Sequence, residues 1–155
     1  MKAVVERVKS AALSANGKPF SKIGEGLLVF VGVEQGDDIR HAEILAKKIA
    51  NLRIFCDSEG KMNLSCQELN YQVLAVSNFT LCADTKKGNR PSFINAMESE
   101  NANCLYELFC TKLKQYVDVQ KGVFKADMSI ENVCDGPITI FLDTNVWIKD
   151  GNKKI

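Results

Sequence analysis

The sequence predicts an α+β fold: a single domain with a curled mixed sheet or small β-barrel and two long helices. Three observations carry this. Roughly seven short segments have strand-like apolar patterns, and two longer segments place apolar residues at helical spacing. The two kinds do not alternate strictly, as a doubly wound parallel sheet would require. The whole chain, residues 1–155, has the length of one domain, with a polar tail from about residue 149.

Taken in order, residues 3–8 alternate loosely and open the sheet. Residues 11–13 form a second short segment that pairs onward through a turn at Asn16-Gly17, a favoured hairpin dipeptide. Residues 27–33 are continuously apolar and β-branched, which predicts a central strand buried on both faces, with Gly32 marking a bulge or a close packing contact. Ala42, Leu45, Ile49 and Leu52 define an amphipathic helix over 38–53. Short strands follow at 53–55 and 71–77. Residues 83–95 are polar and broken by Gly88 and Pro91, so they read as a long loop. Ser99 is placed to cap a second helix whose buried stripe is Ala102, Leu105, Phe109 and Leu113, with an extension toward Tyr116. Strand signals close the chain at 123–128, 138–142 and 146–148.

Composition narrows the function classes. Twenty basic residues against nineteen acidic leave a net charge of +1, which excludes a histone-like polycation and leaves room for a local basic patch. Glu6 and Arg7 interrupt the apolar start, so no signal-peptide core is present, and no apolar run approaches the roughly 20 residues of a membrane span. A cytoplasmic protein is expected. The six cysteines contain no C-x-x-C pair, and His41 is the single histidine. Neither zinc ligation nor a thioredoxin-like centre fits that spacing, and buried free thiols in a reducing compartment are expected instead. No metal and no cofactor is implied. His41 itself reads as a surface or boundary residue of the first helix.

Three segments concentrate polar chemistry. Ser77-Asn78-Phe79-Thr80-Leu81 begins where an apolar strand ends, a place where backbone N–H groups turn toward a ligand. Lys86, Lys87 and Arg90 put three positive charges within five residues, just before Pro91-Ser92-Phe93, and suit phosphate contacts. Cys134-Asp135-Gly136-Pro137-Ile138-Thr139 carries a Gly-Pro peptide directly before a strand, a candidate for the cis form.

Together these segments resemble the D-aminoacyl-tRNA deacylase family. The likeness runs through Glu6-Arg7-Val8, Ile23-Gly24-Glu25-Gly26-Leu27-Leu28, Gly32-Val33-Glu34, Arg53-Ile54-Phe55, Gly60-Lys61-Met62-Asn63-Leu64, Gly88-x-Arg90-Pro91-Ser92-Phe93 and Ala126-Asp127-Met128. The family's two signatures read S-Q-F-T-L and N-x-G-P-x-T. Here Asn78 stands where the first has Gln, Cys134 stands where the second has Asn, and Val123 follows Gly122 where an arginine is usual.

What the resemblance implies is an enzyme that hydrolyses the ester of D-aminoacyl-tRNA. It would act as a homodimer with its sites at the interface, on neither DNA nor membranes. Gly136 and Pro137 of one subunit would enter the other's pocket, and their carbonyls would crowd the position of an L side chain. Arg7 would brace that loop. Ser77, Asn78 and Leu81 would receive the terminal adenosine and the ester, with Met128, Cys134 and Thr139 bordering the substrate and Lys86 and Lys87 along the acceptor stem. Backbone N–H groups of Phe79 and Thr80 are the expected oxyanion donors, with a ribose hydroxyl assisting. Thr80 as a covalent nucleophile is the weaker mechanism, because the motif contains no base. Two other readings share the scaffold: a deacylase clearing glycine or a small L-amino acid, and a non-hydrolytic aminoacyl-tRNA binder.

Overall fold

The computed structural model describes residues 1–148, so the polar tail expected from residue 149 lies outside the described residues. In chain order the elements are β1 (Lys2–Ala15), β2 (Lys18–Ile23), β3 (Gly26–Gly32), α1 (Ile39–Ala50), β4 (Arg53–Cys56), β5 (Met62–Ser65), β6 (Gln72–Ser77), α2 (Ser99–Leu113), β7 (Asp118–Lys121) and β8 (Met128–Asp143). Short 3-10 turns follow β6 (Phe79–Cys82) and β8 (Thr144–Val146).

The main sheet runs β2-β1-β3-β6-β7, with β8 pairing to β1. Residues 2–8 of β1 pair with β3, and residues 11–15 pair with β2 across the Asn16-Gly17 hairpin. β8 follows nearly the full length of β1 on the other edge. β3, β6 and β7 are mutually parallel, while β4 and β5 form a separate antiparallel pair. The result is the mixed sheet, nearly closed on itself, with two helices packed against one face.

The two opening segments expected at 3–8 and 11–13 are one strand. A bulge conceals their continuity. From Val8↔Cys134 to Ser10↔Val133, β1 advances two residues and β8 one, so Lys9 is extra. Before it, Ala3 and Val5 face the helices; after it, Ala11 and Leu13 continue the opposite face begun by Val8. The extra residue shifts the period-two pattern by one.

The expected double-faced burial of the central strand holds for both β3 and β6. Leu27, Val29, Val31, Val73 and Ala75 pack with Leu45, Ile49, Phe109 and Leu113 on the helix side. Leu28, Leu74 and Val76 pack with Val8, Leu13 and Ile23 inside the curl. Gly32 is a close packing contact: a Cβ there would sit 2.9 Å from Leu81 Cβ.

The start of α1 agrees with the helix expected from residue 38, whereas the cap of α2 falls one residue earlier than expected. α1 is capped by Asp38, whose carboxylate accepts from the N–H groups of Arg40 and His41. The Asp38 N–H donates to His41 Nδ1 at 3.0 Å, completing a capping box. His41 is therefore buried, 6% exposed, and not the surface or boundary residue its charged neighbours suggested. Its Nε2 also lies 3.8 Å from Asp37, which accepts from the buried Met1 amino group. α2 is capped by Glu98 rather than Ser99, and its buried stripe is Tyr106, Phe109, Cys110 and Leu113. Ala102 and Leu105 are only partly covered, and the helix ends before Tyr116.

Two expected strands are absent among the described residues. Residues 123–127 form a turn between β7 and β8, and residues 146–148 belong to the closing 3-10 turn region. Strand 138–142 is the end of the much longer β8. Of the cysteines, Cys66, Cys82 and Cys110 are buried as expected, whereas Cys56, Cys104 and Cys134 are exposed; all six are free thiols.

Candidate functional site

β6 ends at Ser77, and the chain turns at once because Asn78 anchors it from both sides. The Asn78 N–H donates to Val31 O at 2.8 Å. Its side-chain Oδ1 caps the following turn, accepting from Thr80 N at 3.2 Å and Thr80 Oγ1 at 2.5 Å. Farther on, Cys82 is buried with Sγ 3.4 Å from Val33 O, and Leu81 packs into the space that Gly32 leaves. The Phe79 N–H has no partner among the described residues and stands beside an exposed ring. It is one of the orphan donors that every helical start leaves. Thr80 N–H, by contrast, is already shared with Asn78.

This turn forms one wall of a cleft of about 620 Å³. Ser77, Asn78 and Phe79 line it on one side. Phe30, Phe124 and Met128 add apolar surface to its lining, with Met97 and Ala102 from the start of α2 and the chain before it. Sequence reasoning included Met128 and missed Phe30, Phe124 and Met97. Their only sequence signal was apolarity, which core residues share. His41 is not among the lining residues, and its ring is engaged by Asp38, so Thr80 has no imidazole partner there.

The Gly-Pro segment lies elsewhere. From Glu6↔Thr139 to Val8↔Cys134, β1 advances two residues while β8 advances five, so β8 bows outward opposite Arg7. Within this bulge the Gly136-Pro137 peptide is cis and Gly136 has φ 124°, a conformation that suits glycine. Both residues are exposed. Arg7 is buried beneath them: its Nε lies 2.9 Å from Asp135 Oδ2 and 3.3 Å from Asp135 O, and Nη1 donates to Ile54 O at 2.6 Å. The Phe55 ring lies under the guanidinium, 5.9 Å from its centre. Cys134 is exposed beside the bulge, 3.1 Å from Asn132 Nδ2 and 3.9 Å from Glu6 Oε2, and Thr139 is exposed across from Glu6.

Lys86 and Lys87 occupy a third position. Asp84 and Ser92 exchange two backbone hydrogen bonds, 2.8 and 2.9 Å, which close residues 84–92 into a hairpin-like arm. Asp84 Oδ1 accepts from Lys86 N at 2.8 Å and shapes its tip. Thus one chain gathers Ser77, Asn78, Phe79 and Met128 around the cleft and sets Thr80 and Leu81 on the same turn. Arg7, Cys134, Gly136, Pro137 and Thr139 gather at the bulge, and none of them lines the cleft.

Among the described residues no helix is long and apolar enough to cross a membrane. The architecture matches solved structures. One, described as "c-Myc DNA Unwinding Element Binding Protein", superposes with a TM-score of 0.88 at 39% identity, covering 92% of this chain and 98% of its own. A second, described as a probable eukaryotic D-amino acid tRNA deacylase, gives a TM-score of 0.77 at 16% identity, over 91% and 97% of the two chains, and shares the fold. The α+β fold, a nearly closed mixed sheet with two helices on one face, is therefore a known class. The family described as D-Tyr-tRNA(Tyr) deacylase matches residues 4–143, and this chain belongs to it. A curated relative from Geobacter sp. (strain M21), named D-aminoacyl-tRNA deacylase, is 50% identical over 145 residues, 93% of this chain and 97% of that protein.

Proposed function

We propose that the protein hydrolyses the ester linking a D-amino acid to the terminal ribose of tRNA, releasing both. In this reading the whole chain works as one cytoplasmic deacylase domain. Family membership supports the reaction class. One observation carries the arrangement: a rigid, exposed Gly136-Pro137 corner and an open cleft occupy separate parts of the same chain. A second copy brings them together. Beyond β1, the outer edge of β8 has no strand partner among the described residues, and it exposes Val133 and Phe141 at 54% and 59%. Apolar side chains along an open strand edge suit an isologous dimer contact.

In the dimer, Gly136 and Pro137 of the partner face the first chain's cleft. Their carbonyls occupy the space an L side chain needs, so selection works by exclusion. Ser77, Asn78 and Leu81 with Met128 hold the terminal adenosine and the ester, and Cys134 and Thr139 flank the corner. The Phe79 N–H is the principal donor to the developing oxyanion; Thr80 N–H contributes as it shifts from Asn78. An aminoacyl ester is already activated, so an oriented water and the neighbouring 2′-hydroxyl complete the chemistry.

Hydrolysis of D-Tyr-tRNA by purified protein tests this. Thr80→Ala retains substantial hydrolysis, while tRNA ending in 2′-deoxyadenosine is cleaved poorly. Complete loss of activity in the alanine variant with intact tRNA binding reverses the assignment toward Thr80 as nucleophile. Side-by-side rates on D-Tyr-, Gly- and L-Ala-tRNA separate a D-specific enzyme from one that clears glycine or a small L-residue, and absence of turnover on all three leaves a binding protein.

A further inference from the structure

The arm at residues 84–92 carries Lys86, Lys87 and Arg90, all exposed, and among the described residues none of them makes an ion pair. Nine residues therefore present three cations against one carboxylate, Asp84, on a hairpin closed at its base by the Asp84–Ser92 exchange. Directly after that base, Phe93 packs edge-to-face on Phe79, with centroids 5.0 Å apart and planes at 68°. Both rings are exposed, 58% for Phe79 and 37% for Phe93, so this contact stands at the surface rather than in the core. Behind Phe93 the chain is pinned: Gln35 N donates to Asn95 O at 2.9 Å and Met97 N to Val33 O at 3.0 Å. The arm is thus held at its root, charged at its tip, and in ring contact with the residue whose N–H is unpartnered.

We infer that this arm is a phosphate sensor for the RNA strand leading into the cleft, and that Phe93 transmits its engagement to Phe79. The partner chemistry is a polyanionic RNA strand. Three cations match successive phosphates, and the arm sits next to the cleft wall rather than across the molecule. Phosphates on Lys86, Lys87 and Arg90 hold the arm, the arm holds Phe93 against the Phe79 ring, and the ring fixes the direction of the Phe79 N–H. Phe93 is a positioning residue, and touches no reacting atom. This inference rests on the deacylase reading above, and its test is built to fail separately.

The experiment compares D-Tyr-tRNA with the short ester D-tyrosyl-adenosine, which carries no strand for the arm. Combined Lys86→Ala, Lys87→Ala and Arg90→Ala substitution raises KM for D-Tyr-tRNA about tenfold and lowers the slope of log affinity against log salt by roughly 2 to 3, as loss of three phosphate contacts requires. Phe93→Ala lowers the ratio of kcat on D-Tyr-tRNA to kcat on D-tyrosyl-adenosine about fivefold, and Phe93→Tyr restores it. An unchanged salt slope in the triple variant, or an unchanged kcat ratio in Phe93→Ala, overturns the inference. A wild-type protein that fails to hydrolyse D-Tyr-tRNA sinks the deacylase reading, while the salt slope for tRNA binding still decides whether the arm contacts the strand.

Discussion

Arg7 and Asp135 lie on adjacent strands, and their 2.9 Å ion pair spans the place where β8 leaves the register of β1. The guanidinium also reaches the Ile54 carbonyl at 2.6 Å, so it ties the bulge to the start of the β4–β5 pair. The exposed corner at Gly136-Pro137 is thereby braced from beneath by a buried cation.

Removing that brace has two readouts. Arg7→Ala lowers stability by about 2 kcal/mol, the range for lost hydrogen bonds to a charged group that leave the Ile54 carbonyl unpaired. It also narrows the preference for D-Tyr-tRNA over L-Tyr-tRNA, because the corner loses its support. Urea denaturation gives the first quantity and paired deacylation rates the second. A full preference with lowered stability would show that Arg7 serves the fold alone.

Gly136→Ala is more local. At φ 124° a side chain is strained, and its Cβ would meet Ile138 Cγ1 at 2.9 Å and Ile138 N at 3.0 Å. The expected outcome is a fall of at least tenfold in kcat/KM for D-Tyr-tRNA with a destabilisation of about 1–3 kcal/mol. Stopped deacylation assays and thermal melts measure the two. Wild-type kcat/KM in a folded variant would remove the corner from the site.

Thiol labelling distinguishes core from interface. Burial pushes the Cys66 and Cys110 thiols up to about 12 and the Cys82 thiol up to about 11. These three resist iodoacetamide in the native protein. Cys56 and Cys104 react at every protein concentration. Cys134, exposed in the single chain beside the bulge, becomes protected as concentration rises and dimers form. Mass spectrometry of peptides reads the pattern, and a concentration-independent Cys134 rate argues against the proposed interface.

The cap of α1 predicts a pH dependence. Hydrogen bonds from Arg40 and from His41 hold the Asp38 carboxyl well below the usual carboxylate range. A depressed folded-state value means stabilisation present above the unfolded pKa of about 4 and lost as pH falls below it. The carboxylate is partly exposed, 41%, which limits the electrostatic share, so Asp38→Ala costs about 1 kcal/mol at pH 7 as a lost N-cap. The difference from wild type narrows as pH drops through 4 toward 2 in acid-denaturation curves. A constant difference across that range would show that backbone capping geometry, not charge, carries the effect.

Much of the fold was legible locally. Residues 27–33 and 71–77 announced central strands because both faces are buried and nearly every position is apolar. The stripe of α1 followed from one-sided burial. The edge elements were not legible. β5, β7 and the first half of β8 are short of apolar residues because one side of each meets solvent, and Asp118, Gln120, Glu131 and Asn132 resemble loop residues. His41 was misread for a related reason: its neighbours on the helix are charged, and only the Asp38 box and Asp37 behind it draw the ring inward.

From the order of residues alone came the family, its reaction class and the groups proposed to carry it: the hydroxyl- and amide-rich end of β6, the basic loop, and the Gly-Pro peptide. Each is a local pattern, written in consecutive positions. What tertiary structure decided was how those groups are presented. The outward bow of β8 exists because strands far apart in sequence pair with five residues against two, and the buried Arg7 sits beneath it for the same reason. Likewise Phe93 meets Phe79 only after the chain has folded back. Register between distant segments minimises the free energy of the whole sheet, so no window of neighbouring residues contains it.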